Sequence, residues 1–368
     1  MRGFGAALAA SLSIAGAAQA QPGAREIAFV ANAEGATISL VDVGARKIVG
    51  EIDVNPDKVR QSQPTPNFAQ DSDVSPDGRT LYVSRGYLGD VAAFDIASGK
   101  MKWRTTVDPA RSDHMTISTD GRFLYVSAYT QNRTKRIDTA NGRVTGEVET
   151  GISPHDNQLR GGRLYNTSIG NVGVPGEGGA AKPGAPSPYQ MTIADAATLR
   201  IIARVPFSNG VRPWRFWPDG KGIYAQFSNE HAVTSYDLAA RKVVRKLELP
   251  IGAGVTSADW VFAAPHHGLA LSEDGHTICI AGRASDYAAL VRAPELTLIA
   301  TVPVGDAPGW AELADHDRVC LIANTRSDDL SFVSVADAKE VLRLKTGDGP
   351  KHITVAKIPA AVLAAYRR

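Results

Sequence analysis

The chain has 368 residues, with 40 Lys+Arg against 38 Asp+Glu and a formal net charge of +2. That balance leaves no electrostatic footprint for nucleic acid or an acidic membrane surface, while 43% apolar residues supports a packed core. The 35 Gly and 21 Pro suit many short turns better than long helices.

In chain order, residues 1–20 (MRGFGAALAASLSIAGAAQA) come first. A basic start at Arg2, an Ala/Leu-rich middle and the ending Ala18-Gln19-Ala20 predict a secretory signal peptide cut before Gln21. The expected location is periplasmic or secreted. No other apolar run approaches the length of a membrane span.

From Arg25 onward the chain repeats itself. A turn-plus-strand motif recurs as SPDGRTLYVS (75–84), STDGRFLYVS (118–127), WPDGKGIYAQ (217–226) and SEDGHTICIA (272–281). Degenerate copies are RGGRLYNTS (160–168) and ADHDRVCLIAN (314–324), and REIAFVAN (25–32) lacks its first strand. Each copy is followed by an apolar run that ends in Asp or a substitute, then by a further strand. Period-two alternation marks strands, and Pro-Asp-Gly is turn chemistry. Asp42, Asp95, Asp138, Asp195 and Asp237 recur before the second turn and are read as bonding turn amides.

Seven such units predict an all-β, seven-bladed β-propeller of four-stranded antiparallel blades. The propeller is expected to span 21–358 as a single domain, with a tail over 359–368. GPKHITVAKI (349–358) supplies the inner strand that the first copy lacks, so this C-terminal strand should join the N-terminal strands and close the ring. Cys279 and Cys320 occupy the same repeat position in neighbouring blades. A spacing of about 10 Å between stacked sheets against the reach of a disulfide predicts two buried free thiols.

These copies resemble the YVTN-type propeller repeat: PDG, then YVS in place of YVTN, then the hydrophobic-Asp pair and a G-x-x-P exit. The resemblance covers nearly all of 25–358 and implies the fold. The same shape is similar to the heavy subunits of periplasmic amine dehydrogenases, and the repeat serves enzymes and binding proteins alike.

The PDG turns should lie on one face of the ring. The opposite face carries the insertions 55–72, 171–190 and 251–266, and elaborated loops on a rigid scaffold commonly carry function. His114 lies eleven residues before Tyr125, at the entry to an inner strand on that face. Allowing one residue of slip, the corresponding positions hold Asp71, His155, Trp214, His267 with His266 beside it, Trp310 and His352. Five of the eight histidines therefore fall at one structural position.

Three readings follow. In the first, His114, His155, His267 and His352 hold a transition metal such as Cu or Zn, with Asp71, Asp113 and Asp156 as ligands or ring-orienting partners. The arrangement is similar to copper-dependent periplasmic propellers whose histidines ring the channel mouth, and it would support redox or Lewis-acid chemistry. In the second, Trp214, Trp310, Trp260 and Tyr129 wall a small organic ligand such as a quinone, tetrapyrrole or oxidised sugar acid, whose acidic group is clamped by Arg111, Arg212 and Arg215. In the third, the loop-rich face docks a protein partner and does no chemistry, with Asn229–His231 and Arg283–Asp286 at the interface. The structural alternative for each residue is channel filling by His and Trp and ordinary ion pairing by Arg. The sequence carries no G-x-S-x-G, H-E-x-x-H, C-x-x-C-H or dinucleotide fingerprint.

Overall fold

The computed structural model describes residues 23–61, 63–170 and 189–367. The expected signal peptide and most of the 171–190 insertion lie outside the described residues. Seven four-stranded antiparallel sheets form a ring, and each inner strand contacts the next around a central axis. The inner strands of blades 2 to 7 are Asp71–Val74, Ser112–Ile117, Pro154–Arg160, Val211–Phe216, Leu269–Leu271 and Pro308–Ala314. Blade 1 takes its inner strand from the C-terminus: Pro350–Ile358 pairs antiparallel with Arg25–Asn32, with Phe29 opposite Thr354.

The turns hold the blades as the repeats predict. Gly78, Gly121, Gly220 and Gly275 take φ of 67°, 73°, 74° and 74°, which only glycine adopts freely. The hydroxyls of Ser75, Ser118 and Ser272 each accept a backbone N–H across the turn at 2.9 Å. Asp42, Asp95, Asp138, Asp195 and Asp237 accept turn amides of Ala45, Ser98, Ala140, Thr198 and Ala240. These carboxylates are structural.

Apolar residues pack between blades in adjoining clusters. The connection from blade 1 to blade 2 is fixed by Arg85. Its fully buried guanidinium holds Asp90 bidentately at 2.6 and 2.5 Å and donates to the Val54 carbonyl at 3.0 Å. The tail turns into short helical segments whose Val362 and Leu363 are buried against blades 1 and 2, and Tyr366 donates to the Ile96 carbonyl at 2.5 Å.

The cysteines correct the sequence reading. Cys279 and Cys320 form a disulfide, with Cα atoms 6.4 Å apart, and no free cysteine remains. The sheet spacing that argued against it is a mean and does not give the local distance between two strands. Here the bridge lies in a buried cluster of blades 6 and 7 that mixes Ala270, Ala281, Ala288 and Ala311 with larger residues such as Leu290 and Ile322, and the local Cα spacing falls within a disulfide's reach. Closing a 41-residue separation restricts the unfolded chain, an effect worth about 3–4 kcal/mol in the loop-entropy model. Thiol titration of the unreduced, denatured protein should find no free thiol. Cys279→Ala/Cys320→Ala should lower the unfolding free energy by about that amount in urea melts.

Candidate functional site

The inner strands begin with irregularities that turn polar side chains onto the axis. In blade 3 the register slips between Ser112 and Met115, which frees Asp113 and His114 from the ladder. In blade 4 it slips between Pro154 and Asn157, which frees His155 and Asp156. In blade 5 it slips between Val211 and Trp214, which frees Arg212 and Pro213. Such bulges re-aim side chains that a regular strand would alternate.

His114, His155, His267, His352 and Trp310 meet at the axis, each at most 7% exposed. The ring of His114 lies 4.5 Å from that of His155, 6.1 Å from His267, 5.3 Å from Trp310 and 5.5 Å from His352. Two groups of ligand atoms come within 4.8 Å of one another: His114 with His155 and His267, and His114 with Asp71 and His352. His155 Nε2 and His267 Nε2 are 3.3 Å apart, and His267 Nδ1 donates to the Gly309 carbonyl at 3.1 Å. That donation leaves the His267 Nε2 lone pair pointing at its neighbour. Gly268, at φ 111°, brings His267 close to blade 7, where any Cβ would strike the Trp310 and Ala311 backbone.

Asp71 orients two of the rings. Its carboxylate accepts from His114 Nδ1 and His352 Nε2, both at 3.1 Å, and from the backbone N–H groups of Ser72 and Met115 at 2.6 and 2.8 Å. Burial works against this carboxylate, but the facing His352 and His114 outweigh it and hold it below the usual range. Burial also opposes protonation of His114, and Asp71 overcomes it and raises that ring. His155 and His267 have no such partner, and burial pushes both well below the usual imidazole range. They are neutral, as metal ligation requires.

Charge is divided across this imidazole layer. On the loop-rich side, Arg111, Arg212, Arg283 and Lys351 line a cavity of about 20 Å³ together with His155 and His267. Arg111 pairs with Asp113 at 2.8 Å and lies over the Tyr129 ring at 4.2 Å. Burial, with Arg111 and Arg283 adding to it, lowers Arg212 to about 10. On the PDG side a cavity of about 370 Å³ is lined by Asp71, Asp73, Asp156 and Glu312. Burial raises Asp73, Asp156 and Glu312 above the usual carboxyl range.

Three residues assigned to the rim from sequence lie elsewhere. Trp214 is packed in the hydrophobic cluster of blades 4 and 5, its ring 4.8 Å from Phe216. The bulge puts Trp214 in register with Met115, one residue past the axial position, and a one-residue shift turns a side chain to the opposite face. Arg215 lies on the PDG side, 3.5 Å from Glu312. His266 points away from His267, against the His231 ring at 4.1 Å and the Tyr287 hydroxyl at 3.0 Å.

Sequence reasoning undervalued Arg283 and Lys351. A signal for them existed: the residue after each second strand lies on the loop-rich side, and this position holds Ala33, Tyr129, Ile169, Arg283 and Thr325 along the cavity walls. Lys351 adjoins His352 and occupies the bulge between Pro350 and His352.

No family model matches the chain, so the repeat resemblance stands on its motifs alone. A curated protein named dihydro-heme d1 dehydrogenase, from Pseudomonas aeruginosa, is 28% identical over 173 residues, 46% of this chain. The match spans 31% of that protein's length. Among solved structures, a chain of Kuenenia stuttgartiensis hydrazine synthase superposes with a TM-score of 0.67 at 20% identity, covering 84% of this chain and 92% of that one. That likeness is one of fold. No helix among the described residues is long and apolar enough to cross a membrane.

Asp71 accepts four hydrogen bonds at the axis. Asp71→Asn should therefore lower the unfolding free energy of the metal-free protein by about 1–3 kcal/mol or more, since the amide nitrogen cannot accept and leaves one ring N–H and one backbone N–H without an acceptor. Urea melts of the two proteins measure this.

Proposed function

We propose that this propeller carries one transition-metal ion on its axis, ligated by His114, His155 and His267, and uses it for redox or Lewis-acid chemistry on a small molecule. The observation that carries the reading is the 3.3 Å separation of His155 Nε2 and His267 Nε2. Two imidazole nitrogens at about 2.0–2.1 Å from one tetrahedral ion lie about 3.3–3.4 Å apart. In the metal-free protein the same two atoms share a hydrogen bond, with His155 as donor, and loading displaces that proton. Asp71 behind His114 and the Gly309 carbonyl behind His267 act as partners that orient ligating rings. His352, on the far side of Asp71, belongs to the support of the site.

Three imidazole ligands suit Cu or Zn, His114 giving up its Nε2 proton on loading while Asp71 keeps the bond to Nδ1, and a three-His site keeps a position open for water or substrate. The dehydrogenase name of the curated relative favours a redox role and hence copper. The Cys279–Cys320 disulfide fits an oxidising compartment and supports export, consistent with the sequence of residues 1–20. A tetrapyrrole, suggested by the same relative's name, fits less well. The loop-side cavities measure about 20 and 200 Å³ and the PDG-side cavity about 370 Å³, below or at the lower end of the range of about 300–1,000 Å³ usual for drug-sized ligands.

Protein stripped with chelator and reloaded should retain close to one equivalent of Cu or Zn by elemental mass spectrometry, and its melting temperature should rise on loading. His155→Ala/His267→Ala should abolish both effects, and Asp71→Asn should weaken metal binding about 10–100-fold. Absence of bound metal together with an unchanged melting temperature would remove the metal reading and leave the loop-rich face as a docking surface.

A further inference from the structure

The loop-side chamber holds an excess of positive charge that the metal reading does not use. Arg111 and Arg212 are 8% and 3% exposed, and Arg283 and Lys351 share the same cavity. No carboxylate lines that cavity among the described residues. Asp113 sits behind Arg111, and Glu34, at the outer opening, is exposed. Arg111 Nε and Arg283 Nε are buried with no hydrogen-bond partner among the described residues. Arg111 is compensated by Asp113, and Lys351, which burial lowers to about 7, donates to Gln70 Oε1 at 2.7 Å. Arg212 and Arg283 have no carboxylate partner among the described residues. Uncompensated charge in such a place destabilises a fold, so stability does not explain these two guanidiniums.

We propose that this chamber binds a small ligand carrying at least two negative charges on carboxylate or phosphate oxygens. Guanidinium forks are matched to such groups bidentately. Arg212 shows what an anion would replace. Its Nε donates to Ser228 Oγ at 2.9 Å, and its Nη2 donates to the Phe262 carbonyl, a neutral acceptor. Phe262 and Ala263 hold that carbonyl over the chamber at φ of 51° and 58°, left-handed backbone that is unfavourable for non-glycine residues. Tyr129 beneath Arg111 and Phe262 at 5.8 Å from it give the ligand apolar walls.

Size and charge set the ligand class and its route. The chamber has room for about one water-sized group. It shares Val261, Phe262, Arg283 and Lys351 with an outer cavity of about 200 Å³, so a ligand of a few heavy atoms fits with its charged end inward. The opposite route is lined by Asp71, Asp73, Asp156 and Glu312, with Arg215 as the one arginine or lysine among the described residues, so it offers an anion no cluster of cations. The site stands without the metal. His155 and His267 also line the chamber, so an occupant would face the imidazoles whether or not they hold an ion.

Chelator-treated protein is titrated calorimetrically at low ionic strength with acetate, malonate, citrate and inorganic phosphate, alongside thermal melts. Malonate, citrate or phosphate should bind at least about tenfold tighter than acetate and raise the melting temperature. Comparison of the carboxylate and phosphate arms identifies the oxyanion. Arg283→Gln should weaken that binding by about tenfold or more and raise the melting temperature of the ligand-free protein, because it removes an unpaired charge. Arg283→Lys, which keeps the charge, should retain part of the binding. No binding by any multivalent anion, affinity equal to that of acetate, or unchanged binding in Arg283→Gln would overturn the proposal. Because metal is absent throughout, this failure is distinct from failure of metal loading.

Discussion

The antiparallel ladder between Pro350–Ile358 and Arg25–Asn32 is the constraint on which the axis depends. It joins the two ends of the described chain and brings the last inner strand beside those of blades 2 and 7. His352 thereby reaches Asp71, from a sequence distance of almost the whole domain, and Asp71 in turn holds His114. Loss of the ladder would open a sheet edge and would also dissolve the polar hub, because no other strand can bring His352 and Lys351 to the centre. Fold closure and site assembly are therefore one event.

The axis is layered by charge. Arginines and a lysine lie toward the loops, imidazoles lie in the middle, and carboxyls lie toward the PDG turns. Most members of these layers come from successive steps along the inner strands, whose direction all seven blades share, while Arg283 joins the cationic layer from the end of a second strand. Bulges at the strand entries supply the sideways turn that a regular ladder would deny to His114 and His155. Burial in this interior pushes His155 and His267 well below the usual imidazole range, with the neighbouring arginines and His114 adding to it, while Asp71 outweighs burial at His114 and raises it.

The repeats made the fold legible. Turn chemistry and period-two alternation specify blades independently of context, and the absent first strand in 25–32 pointed to closure by 349–358. The histidines were legible for the same reason, since a repeat frame converts sequence distance into position on a ring. Trp214 failed because a bulge of unstated length shifts the frame by one residue, and one residue decides between axis and core. The disulfide was hidden because a mean sheet spacing does not give the local distance between two strands, which at Cys279 and Cys320 is 6.4 Å between Cα atoms. Arg283 looked like surface because nothing in its own neighbourhood shows that blades 3 and 5 send Arg111 and Arg212 into the same chamber.

The docked tail has a consequence for how the two faces can be reached. Pro359 lies against Gly78 at a PDG turn of blade 2, and Tyr366 is fastened to Ile96 in the same blade. Polypeptide attached behind the tail therefore leaves the ring from the PDG side. A protein tethered to a solid support through its C-terminus would present its arginine-lined mouth outward, unobstructed by the anchor.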